Sequence, residues 1–78
     1  MKLEKGDVLL HRHYGLGINY CIYNDLYPTD DFTPRLNVLS GDREPFTIKT
    51  AHILYNLGQI KGEISLEYLR ENFSMYFI

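Results

Sequence analysis

The chain has no tryptophan, one cysteine and only three prolines among its 78 residues. A lone thiol, Cys21, forms no internal disulfide, so the pattern is not that of a stapled secreted scaffold. A reducing, cytoplasmic setting is the simplest expectation. No apolar run approaches the ~18–20 residues that a membrane-spanning helix needs. The opening Met1-Lys2-Leu3-Glu4-Lys5 carries charge but lacks the apolar stretch of a signal peptide. A basic excess is missing too. Eight Lys and Arg face ten Asp and Glu, for a formal charge of -2, and the basic residues form no run. Nucleic-acid binders draw most of their affinity from phosphate contacts and usually show a basic stripe. A nucleic-acid-binding barrel is therefore the less favoured expectation, unless folding gathers Arg12, Arg35 and Arg43.

What is present is an aromatic load of seven Tyr and four Phe, within a composition that is 45% hydrophobic. That is the make-up of one small globular domain with a thin core. Gly6-Asp7 is a turn pair, and the dense apolar residues after it predict a buried strand over 7–12. Tyr14-Gly15-Leu16-Gly17 reads as a tight turn, because glycine adopts positive φ without steric cost. Ile18, Tyr20 and Ile22 alternate with Asn19, Cys21 and Tyr23, the period of a second strand. Residues 24–34, with Asn24, Asp25, Pro28, Asp30, Asp31 and Pro34, carry loop chemistry. Strands are expected over 35–39 and 45–49, with the turn 40–43 between them. Phe46 and Ile48 should share a face, and Pro45, which lacks an amide donor, should start its strand or lie on a sheet edge.

Two readings fit the stretch after Lys49. Thr50 could cap a short helix over 51–57 that ends at Gly58, or residues 50–54 could make one turn before a short last strand. The final helix, over 64–76, is better marked. Ser65 is a good N-cap, Glu67 suits the first turn, and Ile64 and Leu69 have the spacing of a hydrophobic staple. Leu66, Leu69, Phe73 and Tyr76 recur at helical spacing. The following Met75-Tyr76-Phe77-Ile78 is expected to pack back on a core that needs every apolar residue.

Four short strands and a hairpin lead to a mainly β fold. The expected architecture is a small SH3/Tudor-like barrel of four to five antiparallel strands over 4–54, with a C-terminal helix. Within it, Gly6-Asp7-x-Leu9-Leu10-His11-x-x-Tyr14-Gly15-Leu16-Gly17 resembles the opening of the CarD-like RNA-polymerase-interacting domain. Similar openings occur in the transcription-repair coupling factor and in the C-terminal Tudor-like domain of UvrD/PcrA-type helicases. Leu36 to Asp42, Phe46-Thr47-Ile48 and Ile53-Leu54 resemble that family's later strands and turn. The resemblance implies a non-catalytic docking barrel that needs no cofactor and offers a sheet edge to the β subunit of bacterial RNA polymerase or to a repair-linked assembly. It also implies that Leu9 and Leu10 enter the barrel core. With no effector domain in 78 residues, such a barrel would bridge, block or regulate. A phage or mobile-element inhibitor of a host protein, such as a defence nuclease, is the alternative. Partner contacts are expected from Arg12, His13, Tyr14, Tyr20, Tyr23, Tyr27, Arg35 and Arg43.

Other constellations carry a blander reading. His11, His13 and His52 could hold a metal, yet His11 fills the motif's usual aromatic or His position and His13 lies at a turn. Cys21 with His52 could form a thiol–imidazole pair, but a free cysteine on a strand packs as a small hydrophobe. Gly15-x-Gly17 lacks the third glycine or the GK[ST] of a phosphate loop. Tyr14, Tyr20, Tyr23, Tyr27 and Phe32 could build an aromatic cage, while tyrosine equally marks ordinary strands and interfaces. No metal, cofactor or catalytic residue is expected.

Overall fold

The computed structural model describes residues 2–13, 15, 17–27 and 35–77, with the side chain of His13 left aside. Met1, Tyr14, Leu16, residues 28–34 and Ile78 lie outside the described residues. The fold is mainly β. Five antiparallel strands form one open sheet, and a short helix follows. The strands are β1 (Val8–His13), β2 (Gly17–Leu26), β3 (Arg35–Leu39), β4 (Pro45–Lys49) and β5 (Ile53–Gly58). Their order across the sheet is β4-β3-β2-β1-β5. The first four make a meander, and the last strand returns to lie beside the first.

That return bends the sheet. Lys49 ends β4 at one edge and Ile53 begins β5 at the other, joined only by the three-residue 3-10 turn Thr50–His52. Five strands laid flat would hold their edges ~19 Å apart at ~4.8 Å per neighbour. Four residue steps span at most ~14 Å when fully extended, and ~8 Å at the rise of a 3-10 helix. The sheet therefore curls until its edges approach at this corner. Among the described residues β4 and β5 do not pair, and the sheet stays open.

β1 lies between two strands and is buried on both sides. Val8, Leu9 and Leu10 are wholly inaccessible. Strand alternation sends them to different layers. Leu9 joins Cys21, Tyr23, Leu36, Val38 and Ile48 inside the curl, with Phe46 and Ile53 packed against them. Val8 and Leu10 face the other way, onto Leu69 of the helix, with Ile64, Phe73 and Tyr76 around them. This corrects the expectation that Leu9 and Leu10 enter one core together. Adjacent strand residues point to opposite faces, so a fully apolar strand serves two cores.

The helix α1 (Leu66–Asn72) starts at Ser65, whose Oγ accepts from the Tyr68 amide at 3.1 Å. Ile64 and Leu69 pack in the same cluster, as a staple requires. The helix stops at Phe73 and a 3-10 turn, Ser74–Phe77, follows, so it is shorter than the span 64–76. Tyr76 and Phe77 pack inward and Met75 is exposed. Tyr76 meets Tyr55 edge to face with centroids 4.6 Å apart. Residues 53–58 form a strand instead of a helix, because the β-rich Ile53-Leu54-Tyr55 supplies the ladder bonds that the second side of β1 needs. Gly58 has positive φ, at the end of that strand. β2 runs to Leu26, three residues past its expected end, with a bulge between Tyr23 and Asp25. Pro45 begins the edge strand β4, where a missing donor costs nothing in the ladder. No helix among the described residues is long and apolar enough to cross a membrane.

Candidate functional site

The Gly6-Asp7 pair is a structural clamp. The Asp7 carboxylate is nearly inaccessible. Its Oδ2 accepts from the Glu4 amide at 2.9 Å and from Asn56 Nδ2 at 3.0 Å, and its Oδ1 accepts from Gln59 Nε2 at 2.6 Å. Burial alone would raise this carboxyl, but the bonds from Glu4, Asn56 and Gln59 outweigh burial and hold it below its ordinary value. Gly6 has φ 96°, and an added Cβ would lie 3.0 Å from Gln59 Oε1. Only glycine fits this turn without moving Gln59. The pair thus ties the entry of β1 to the exit of β5.

The expected docking residues fall in different parts of the fold, and Tyr14 and the side chain of His13 lie outside what is described. Tyr23 is a core residue inside the curl. Tyr20 points to the opposite face of β2, where its hydroxyl donates to the Ile64 carbonyl at 2.9 Å and anchors the approach to α1. An aromatic cage that joins these two side chains is therefore not formed. Tyr27 is exposed just beyond β2, while Tyr14 and Phe32 lie outside the described residues. Arg43 sits in the β3–β4 turn with φ 63°, the one non-glycine residue at positive φ among those described. It lines a groove of about 630 Å³ together with Tyr20, Gly41, Glu63, Ile64 and Tyr68.

Arg12 and Arg35 come together elsewhere. Both line a shallow pocket of about 240 Å³ at the corner where the curled edges approach, along with Lys49 and His52. Arg12 is near the end of β1, Arg35 opens β3, and Lys49 closes β4 directly opposite Arg35 in the antiparallel register. All three are exposed. Arg35 Nη1 reaches Thr47 Oγ1 at 3.5 Å. Phe46 and Ile48 add apolar lining. No carboxylate is among the described lining residues. Like charges set directly opposite on paired strands destabilise a sheet, so the Arg35–Lys49 pair has no folding benefit of its own.

No family model, curated protein or solved structure matches the chain. The cationic corner is therefore read from its own geometry. Sequence reasoning singled out Arg12 and Arg35 but missed Lys49, whose signal would have been its register opposite Arg35.

The thiol and the histidines are placed differently from a reactive site. Cys21 is wholly inaccessible, and burial pushes its pKa up to about 12. Such a thiol stays protonated at neutral pH and presents no nucleophile. His11 is buried with its ring 6.2 Å from that of Phe46. His52 is half-buried in the 3-10 turn. Both line the cationic corner. Among the described residues no group of three His, Cys, Asp or Glu side chains is placed to hold a metal ion.

Proposed function

We propose that the chain is a small, non-catalytic protein-binding module. Its curled sheet serves as an SH3/Tudor-like barrel, and it docks by strand addition at the free edge of β4. The observation that carries this reading is that edge. β4 is the outermost strand of the sheet and pairs with a strand, β3, on one side only. Unpaired backbone groups on an outer strand are a template for a partner's strand. Pro45 limits the edge at its start, and alternate residues from Phe46 to Lys49 turn their backbone groups away from β3. The opposite edge, β5, is flanked by the Tyr55–Tyr76 contact with the C-terminal segment.

The resemblance of the Gly6-to-Gly17 opening makes bacterial RNA polymerase, or a repair-linked assembly, the first partner to try. The test is a pull-down with core RNA polymerase at physiological salt, followed by amide exchange on the complex. Retention with slowed exchange at the outward-facing amides between Phe46 and Lys49 is expected. Failure to retain polymerase, while another host protein is captured with the same protected amides, would remove polymerase and leave the docking edge. Capture with those amides exchanging freely would refute the edge itself.

A further inference from the structure

We infer that the pocket formed by Arg12, Arg35 and Lys49 binds a carboxylate of an acidic, extended segment of a partner protein laid along β4. This rests on the docking edge proposed above and names the chemistry of its occupant. Two observations carry it. The three cations come from three different strands and converge on one corner. Two of them, Arg35 and Lys49, stand directly opposite each other across a strand pair, an arrangement unfavourable until an anion sits between them.

The geometry favours a peptide over a polynucleotide. Lys49 is itself the last residue of the edge strand, so the charge lies at the end of a row of outward-facing backbone groups. A peptide strand pairs with such a row while one of its side chains enters the pocket. Arginine presents a fork of donors that matches a carboxylate in two-point contact. A nucleic acid makes no use of a strand edge, and its repeating phosphates call for a stripe of cations. Here the formal charge is -2, and Arg43, the third arginine that folding might have gathered, lies in a different groove.

The experiment titrates the isotope-labelled full chain with three probes: a soluble ten-residue peptide of alternating Glu and Val, the same peptide with Gln for Glu, and an oligothymidine of ten nucleotides. The Glu peptide should shift the amides of Phe46 to Lys49 and bind about tenfold more tightly than the Gln peptide, an advantage that shrinks with salt. The double variant Arg35→Gln/Lys49→Gln should lose that advantage, keep the weaker Gln-peptide binding, and melt no lower than the parent, since it removes a like-charge pair. Equal affinity for the two peptides, or an advantage that survives in the double variant, overturns the carboxylate site while shifts along β4 preserve the edge. Peptides that leave β4 unmoved overturn both readings. An oligothymidine that binds more tightly than the Glu peptide overturns the choice of a protein partner.

Discussion

Replacing Asp7 with Asn keeps the shape of the side chain and removes its charge. In the native fold the carboxylate accepts three hydrogen bonds, from the Glu4 amide and from the side-chain amides of Asn56 and Gln59. An asparagine carbonyl can keep some of these, but its NH2 must then face a donor already aimed at Asp7. Hydrogen bonds to a charged group each contribute ~1.5–3 kcal/mol. Glu4 and Gln59 are exposed and can turn to water when their acceptor weakens, so the sum is well below three full bonds. A net loss of about 2–3 kcal/mol is expected. A domain of this size has only ~4–12 kcal/mol of total stability. The melting temperature should then fall by roughly 10–20 °C. Urea unfolding followed by circular dichroism measures this, and the midpoint should drop with an unchanged slope. The pH dependence has a definite sign. The folded carboxyl is held below its ordinary value of 3.8, so its contribution is complete above that value. It is lost as the pH falls through the lower folded value. The gap between the parent and Asp7→Asn should be full at pH 7 and narrow in acid. A variant with the parent's urea midpoint at pH 7 would refute the clamp.

Two further outcomes follow from the packing. Gly41→Ala would place its new methyl on the Tyr20 hydroxyl, with the ring carbon bearing that hydroxyl 3.2 Å away. It should cost about 1–3 kcal/mol and break the Tyr20–Ile64 bond, which Gly41→Ala combined with Tyr20→Phe would partly relieve. Cys21 should resist alkylation in the native state at pH 8 and react only on unfolding. Stability should also decline above pH 9.0, the thiol's ordinary value, because only the unfolded chain then ionises it.

The elements legible in the sequence were those with local causes. The alternation in Ile18 to Tyr23, the Pro45 start of an edge strand and the Ser65 cap each act within a few residues, and β1 to β4 and α1 appear where those signals stand. The less legible features depend on pairing between distant segments. Asp7 reads as a turn residue, yet its partners Asn56 and Gln59 lie 49 and 52 positions away. Residues 53–58 read as helix or strand until the free side of β1 is counted. Arg12, Arg35 and Lys49 are scattered in the sequence, and only the curl and the β3–β4 register make them neighbours. Tyr20 and Tyr23 read alike as aromatics for a surface, but strand alternation commits one to the α1 face and the other to the interior.

The two-sided burial of β1 has a consequence for the order in which the molecule can assemble. β1 takes its neighbours from β2 and from β5, and the cover over Val8 and Leu10 is completed by Leu69 of α1. A growing chain can close the β1–β2 hairpin early and bring Ile18 and Tyr20 against Val8 and Leu10, but Leu69 completes that cluster only after α1 is made. Contacts between the ends of the chain carry a loop-closure cost that must be met before they return any stabilisation. The segment after Gly58 thus acts as a latch on the first strand, and a chain that stalls before it presents an apolar strand face to its neighbours.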